Sequence, residues 1–325
     1  MPYSVLTPVK RRRRRRRIRS VALLVLAAAL AFSAFAVARH LRGHPAPELA
    51  AAAPPPRPHP HQAVLEPPRE PLLSTPARPL SGRPLLTARS AILVDATTGA
   101  VLWQKRPHVR RPIASTTKIM TATVVLERLR PDHVVKVAPG VPRTPLVREG
   151  LRAGERVPVW KLLDGLLIYS GNDDALALAI AAAGSRPRFL ELMNRKAGDL
   201  GLRDSHFTSV SGVIDDGNYS SAWDLAALTR YALRDPRFRR VVATKIAHVR
   251  WSAPTFEKVY VNKNDLLRSY PGADGVKTGW TTLAGHCLVA SARRGHTRLI
   301  GVLLHSANPY GEARRLLNLG FALRR

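Results

Sequence analysis

From about residue 88 onward the apolar positions follow two different rhythms, and the switches between them mark the elements. Residues 90–95 and 100–105 are rich in aliphatic and β-branched side chains, and Ala96-Thr97-Thr98-Gly99 between them has turn chemistry. That pattern predicts a β-hairpin. Apolar residues then recur at helical spacing over 115–129, entered after Pro112, and over 159–169, 173–183, 187–200 and 221–233, the last with Ser221 as its N-cap. Strand character returns at 286–292 and 297–305, joined through the tight turn Arg293-Arg294-Gly295-His296, and a closing helix covers 310–319. Strands at both ends with helices between them predict an α/β (α+β) domain: an antiparallel sheet whose N- and C-terminal strands pair, flanked by helices and carrying an all-helical insert.

Upstream of residue 87 the pattern changes. Residues 20–38 form a stretch of 19 without a charge, directly after a run that includes Arg11 to Arg17. As a helix it would rise roughly 28 Å, close to the hydrocarbon thickness of a bilayer. The basic flank keeps the N-terminal side in the cytoplasm and sends the rest outside. A cleaved signal peptide is the rival reading, with Ala34-Phe35-Ala36 as its small-residue cleavage site. The apolar run exceeds the usual h-region of about 7–15 residues, which favours a retained anchor. Residues 43–86 hold 13 of the 27 prolines and read as an extended spacer. The expected organisation is a basic cytoplasmic tail (1–19), a transmembrane helix or uncleaved signal anchor (20–38), a Pro-rich linker (39–86) and one catalytic domain (87–325).

Charge refines this picture. The net charge of +30 includes eleven Lys and Arg within residues 1–42; the remaining 41 basic and 22 acidic residues leave +19 for the rest. A basic ectodomain suits an anionic cell envelope, and the apolar run after the arginines argues against nucleic acid as the partner. Cys287 is the one cysteine, so there is no disulfide framework. Its apolar setting, His286-Cys287-Leu288-Val289-Ala290, marks a small buried packing residue. No Cys/His set has zinc spacing, and His59 and His61 sit among prolines, so no metal or other cofactor is expected.

Three short motifs carry the candidate chemistry. In Ser115-Thr116-Thr117-Lys118 the first and last residues share a helix face. Lys118 there can act as base for the Ser115 hydroxyl if burial or a neighbouring cation leaves it neutral. Ser170-Gly171-Asn172 offers a hydroxyl and an amide at the end of an apolar helix. Lys277-Thr278-Gly279 places a cation, a hydroxyl and a glycine on a strand edge, suited to a terminal carboxylate and a substrate backbone alongside. Each is ordinary alone: a capped helix with a solvated lysine, a loop triplet, a surface strand. Together, in this order and separated by 55 and 107 residues, they match the signature shared by serine β-lactamases and penicillin-binding proteins.

From about Arg89 to Phe321 the chain resembles the D-alanyl-D-alanine carboxypeptidase family of low-molecular-mass penicillin-binding proteins. The likeness extends to Asp95-Ala96-Thr97-Thr98-Gly99, Ile119-Met120-Thr121-Ala122, Asp173-Asp174-Ala175, Met193-Asn194, Leu200-Gly201-Leu202, Asn262-Lys263-Asn264 and Asp274-Gly275-Val276 leading into the third motif. The resemblance implies the transpeptidase fold of penicillin-binding proteins and serine β-lactamases. It also implies peptidoglycan stem peptides as substrate and β-lactams as covalent inhibitors at Ser115. By the same resemblance Lys118 is the general base, Ser170 relays a proton to the leaving D-alanine and Asn172 binds the acyl side. Lys277, Thr278 and Gly279 hold the carboxylate strand, and the backbone amides of Ser115 and Trp280 form the oxyanion hole.

The chain also departs from the family pattern. Trp280 stands where a smaller ring or His is frequent. Pro309-Tyr310 occupies the place of an arginine before the last helix, and neither Arg314 nor Arg315 is assigned that role. The C-terminal β domain of many relatives is expected to be absent, with the N-terminal helix supplying the tether. A β-lactamase would need a carboxylate for the deacylating water, for which Glu191 is the nearest candidate, though 188–200 reads as a helix with Leu192 and Met193 inward. The same motifs also suit a D,D-endopeptidase, which differs only in its leaving group, or an inactive peptidoglycan-binding module.

Overall fold

The computed structural model describes residue 66 and residues 71–75, 84–213, 217–251 and 257–323. The predicted span at 20–38 and its basic flank lie outside these residues. Among those described, no helix is long and apolar enough to cross a membrane.

Five strands form the central sheet: β1 (Ser90–Asp95), β2 (Val101–Lys105), β7 (Ala273–Thr281), β8 (Gly285–Arg294) and β9 (Thr297–Ser306). Their order is β2-β1-β9-β8-β7 and every pairing is antiparallel. As the terminal apolar runs predicted, the first and last strands pair, with Ile92 opposite Val302. Both faces of this sheet are covered. Ile92, Val94, Val289, Ile300 and Val302 point into the larger core. Ala91, Leu93, Leu288, Ala290 and Leu303 point the other way. Strands covered on both sides read as continuous apolar runs rather than as an alternation, which is why 286–292 and 297–305 look uniformly hydrophobic.

The insert between β2 and β7 contains α1 (Lys118–Arg128), β3 (Val134–Lys136), β4 (Arg156–Pro158), α2 (Val159–Asp164), α3 (Asn172–Ala183), α4 (Arg186–Asp199), α5 (Ala222–Ala232), α6 (Pro236–Ala243), β5 (Ile246–Val249), β6 (Lys258–Val261) and α7 (Leu266–Ser269). Two short antiparallel ribbons, β3–β4 and β5–β6, therefore accompany its helices. Runs of three or four residues are too short to show a period. Ser221 caps α5 as expected, its side chain accepting from the Asp224 N–H at 3.1 Å. The last helix, α8 (Pro309–Ala322), seats Ala313, Leu316, Leu317 and Phe321 on the second face of the sheet.

Two predicted helices contain a change of winding. Residues 115–129 begin with a 3-10 turn, Ala114–Thr117, before α1, and 159–169 passes from α2 into a π-helical turn, Gly165–Tyr169. Such irregular turns keep the apolar spacing of an α-helix closely enough that the pattern does not reveal them. Residues 71–75, within the expected spacer, lie against the domain. Leu72 and Leu73 are buried in the core, and Ser74 bridges to the start of β2 through Ser74 N–H to Gly99 O and Val101 N–H to Ser74 O, both 2.9 Å. Arg230 fixes the same segment by donating to Leu72 O at 2.8 Å. A pair of leucines beside the unpaired backbone of an edge strand is enough to dock it.

Candidate active site

Ser115 sits in the 3-10 turn and Lys118 opens α1, so the pair spans the junction between two windings. The turn is entered through Ala114 in the left-handed region (φ 46). Lys118 is fully buried. Its Nζ lies 3.0 Å from Ser115 Oγ, 2.7 Å from Asn172 Oδ1, and 3.4 Å from both Ser170 Oγ and Ser211 O. Ser170 terminates the π-helical turn in the left-handed conformation (φ 75), unusual for a residue with a side chain. The sharp reversal it makes lets α3 start at Asn172, bringing the Ser170 hydroxyl and the Asn172 amide to the same ammonium nitrogen.

The third motif lies on β7, at the edge of the sheet. Lys277 is buried and donates to Thr278 O at 3.0 Å. Thr278, Gly279 and Trp280 line a cavity of about 370 Å³ together with Ser115 and Ser170. Gly279 makes the closest approach: a Cβ there would stand 2.8 Å from Ser115 N and 3.0 Å from Ala114 Cβ. Only the absence of a side chain lets β7 press against the turn carrying Ser115.

Electrostatics follow from burial. Desolvation is the main cause of a Lys118 pKa well below the ordinary lysine value, and the nearby Lys277 and Lys263 ammonium groups push it down further. Lys277 is lowered to about 7, again by burial first and Lys263 second. Among the described residues lining the cavity there is a lysine, Lys263, and no carboxylate. Such a cavity attracts an anionic ligand, and burial behind Ser115 favours the neutral form of the Lys118 amine. No three His, Cys, Asp or Glu among the described residues converge as a metal site.

The sequence left several wall residues without a role. Val147, Lys263, His286 and Tyr310 line the cavity, and the Ser211 carbonyl faces Lys118. Lys263 and Tyr310 are joined, the Tyr310 hydroxyl donating to Lys263 O at 2.7 Å. Lys263 was hinted at by a stretch shared with the family, and Tyr310 by its place where relatives carry an arginine; Val147, His286 and Ser211 had no such hint. Cys287 is buried, as its apolar setting suggested, and lines the same cavity; burial raises its thiol pKa to about 11. Arg314 and Arg315 are exposed on α8. Glu191 is exposed on α4, with Met193 buried and Leu192 packed on the core, as the helical reading required. Trp280 is 59 % exposed and tilts against His286, ring centres 6.2 Å apart.

The D-alanyl-D-alanine carboxypeptidase family profile matches residues 78–308. The chain is 34% identical over 244 residues to the D-alanyl-D-alanine carboxypeptidase DacF of Bacillus subtilis, covering 72% of this chain and 62% of that protein. It thus spans a little under two thirds of that relative's length. With the D-alanyl-D-alanine carboxypeptidase of Streptomyces sp. K15 it shares 35% identity over 280 residues, covering 77% of this chain and 92% of that one. The crystal structure of a D-alanyl-D-alanine carboxypeptidase from Mycobacterium tuberculosis H37Rv superposes with a TM-score of 0.72 at 32% identity, over 77% of this chain and 96% of that one. The fold is that of the penicillin-binding peptidases, and the chain belongs to the D-alanyl-D-alanine carboxypeptidase family.

Proposed function

We propose that this protein is a serine D-alanyl-D-alanine carboxypeptidase that removes the terminal D-alanine from peptidoglycan stem peptides and is acylated by β-lactams. The observation that carries this reading is the buried Lys118 amine, 3.0 Å from the Oγ of Ser115, which itself lines a cavity bearing hydroxyls and a lysine but no carboxylate among the described residues. A neutral amine has two hydrogens and one lone pair. Asn172 Oδ1 and Ser211 O can only accept, so they take the two N–H bonds and leave the lone pair for the Ser115 proton.

In the proposed cycle Ser115 Oγ adds to the carbonyl of the D-Ala-D-Ala bond as its proton passes to Lys118. The carbonyl π electrons move to oxygen, where the Ser115 and Trp280 amides stabilise the charge, a contribution of about 2.7–4 kcal/mol per donor in comparable enzymes. The C–N bond then breaks, and the proton travels through the Ser170 hydroxyl to the departing amine. Water cleaves the resulting ester, releasing the shortened peptide and restoring Ser115. Lys277 and Thr278 bind the terminal carboxylate, Gly279 admits the substrate backbone, and Asn172 holds the acyl-side amide.

The same proposal places residues 1–19 in the cytoplasm and residues 20–38 across the membrane. Residues 39 onward lead to a catalytic unit outside, in contact with peptidoglycan and not with nucleic acid. The test is to incubate the protein with a fluorescent penicillin and, separately, with a D-Ala-D-Ala pentapeptide. A long-lived covalent band and released D-alanine, both lost in Ser115→Ala, are expected. Rapid turnover of the penicillin would instead indicate a β-lactamase, and neither signal would leave a binding module.

A further inference from the structure

Two of the carboxyl groups that the proposed chemistry leaves unused face each other in the interior. Asp174, in the first turn of α3, is wholly buried, and neither of its side-chain oxygens has a hydrogen-bond donor. Glu149, in the loop before β4, has a side chain 1 % exposed, and its Oε2 also lacks a donor. Asp174 Oδ1 and Glu149 Oε2 converge over Gly165: each lies 2.5 Å from the point a Cβ of that residue would occupy, and so no more than 5.0 Å from the other. Two ionised carboxylates facing each other in a buried site, with no protein donor between them, are strongly disfavoured.

We propose that Glu149 and Asp174 share one proton, and that this carboxyl pair is a clasp positioning Asn172 and the wall of the active-site cleft. The inference rests on the carboxypeptidase reading of that cleft. Asp174 carries the proton, because Glu149 already has positive and hydroxylic partners on its other oxygen. Lys258 Nζ lies 3.3 Å from Glu149 Oε1, and the Tyr260 hydroxyl donates to the same atom. The neutral Asp174 O–H then donates from Oδ1 to Glu149 Oε2 and pairs two of the three orphaned oxygens, leaving Asp174 Oδ2. Burial and the Glu149 charge both raise the Asp174 pKa well above the ordinary value.

The loop that the clasp holds is the one that seats Asn172. Pro145 O accepts from Asn172 Nδ2 at 3.1 Å and Val147 O accepts from Asn172 N–H at 2.8 Å. Asp173 takes the Glu149, Gly150 and Leu151 N–H groups at 2.8, 2.8 and 3.1 Å. Val147 also lines the catalytic cavity. Deprotonating the pair sets two negative charges against each other between this loop and α3, and displaces the residue that orients Lys118. The other charged groups that act on the pair are Asp173 on α3, Lys118 on α1 and Lys258 on β6, with Asp164 at the end of α2 facing Glu149 and itself countered by Arg240 on α6. None of them removes the proton-dependent repulsion: Lys258 is already bound to Glu149, and burial holds Lys118 toward its neutral form.

The test compares β-lactam acylation rates of the wild-type protein, Asp174→Asn and Asp174→Ala from pH 6 to 10. Asparagine keeps a donor toward Glu149 and cannot ionise. It is expected to acylate within about threefold of wild type at pH 7 and to decline less steeply than wild type at alkaline pH, where only the loss of the Lys277 charge, common to both proteins, remains. Alanine is expected to lose at least tenfold throughout. Difference infrared spectra of wild type minus Asp174→Asn should show a protonated-carboxyl band at pH 7. Superimposable pH profiles for wild type and Asp174→Asn, an Asn variant as impaired as Ala, or no such band would overturn the clasp. A wild-type protein that neither binds penicillin nor releases D-alanine would overturn the carboxypeptidase reading instead.

Discussion

Lys118 and Asn172, 54 residues apart in sequence, are joined by a 2.7 Å hydrogen bond from Nζ to Oδ1, shorter than the 3.0 Å approach of the same nitrogen to Ser115 Oγ. The amide therefore fixes one hydrogen of the amine, and with the Ser211 carbonyl on the other it sets the direction of the lone pair. Positioning of the base depends on α3 as much as on α1.

The pH dependence has two limbs with opposite signs. In the proposed cycle Lys118 must be neutral to accept the Ser115 proton, so acylation is expected to rise as pH passes its lowered pKa. Lys277 must in the same proposal be charged to bind a carboxylate, so binding is expected to weaken as pH passes about 7. A bell-shaped kcat/KM is expected. In Lys277→Arg, whose guanidinium stays charged, the weakening of KM above pH 7 should disappear while the acid limb stays in place. Steady-state kinetics on a D-Ala-D-Ala peptide would measure both.

Ser170→Ala removes the hydroxyl proposed to pass the proton from Lys118 to the leaving amine. Loss of a positioned proton relay costs about 10²–10⁴-fold, and the loss should fall on kcat. Thermal stability should change little, because the hydroxyl accepts a single long bond at 3.4 Å. Peptide turnover and a melting curve on the same sample would separate the two effects.

Gly279→Ala should slow acylation by at least tenfold. The new methyl would meet Ser115 N at 2.8 Å and Ile113 O at 3.1 Å, backbone atoms that cannot swing aside, so β7 or the 3-10 turn must shift. Time-resolved labelling by a fluorescent penicillin reads this directly.

Glu312 ties the ends of the domain together. Its carboxylate accepts from the Thr87 hydroxyl at 2.7 Å, from the Thr87 N–H, from Ala88 N–H at 3.1 Å and from Ser306 Oγ at 2.7 Å. Burial alone would raise its pKa, but the hydrogen bonds from Thr87, Ser306 and Ala88 outweigh it and hold the value below 4.5. The stability it contributes is present above 4.5 and lost as pH falls through the lowered folded value. Glu312→Ala, which strands these donors, should cost roughly 1–3 kcal/mol. Denaturant unfolding at pH 7 and pH 3 should show a smaller acid loss in the variant than in wild type.

Leu72→Ala tests the docked segment ahead of the sheet. Removing a buried leucine costs about 2–5 kcal/mol in a well-packed site, and here the site is one-sided, so the lower end is expected. A fall in Tm with unchanged penicillin labelling would fit; an unchanged Tm would mean that this segment adds nothing to stability.

The sequence carried the sheet and the principal helices because their signals are local. Ser115 and Lys118 lie one turn apart, Ser221 stands at the start of its helix, and the runs ending the chain are too apolar to lie on a surface. What it did not carry depends on meetings between distant segments or on backbone torsions. The π-helical turn and the left-handed Ser170 leave no trace in an apolar spacing. Glu149 and Asp174 are 25 positions apart, and each alone looks like a solvated acid. Leu72 and Leu73 sit in a proline-rich stretch whose composition predicts a spacer, and only the open edge of β2 gives them somewhere to bind.

The place of β9 in the middle of the sheet, between β1 and β8, has a consequence for how the chain acquires its shape. Until residues 297–306 exist, β1 has no sheet neighbour except β2, and the strand bearing Lys277 cannot be joined to the strand that precedes Ser115. Native pairing must therefore wait for nearly the whole polypeptide, the hallmark of a topology rich in distant contacts and slow to fold. A newly made chain of this kind stays unfolded while it is short, the state in which a polypeptide can be threaded through a narrow pore.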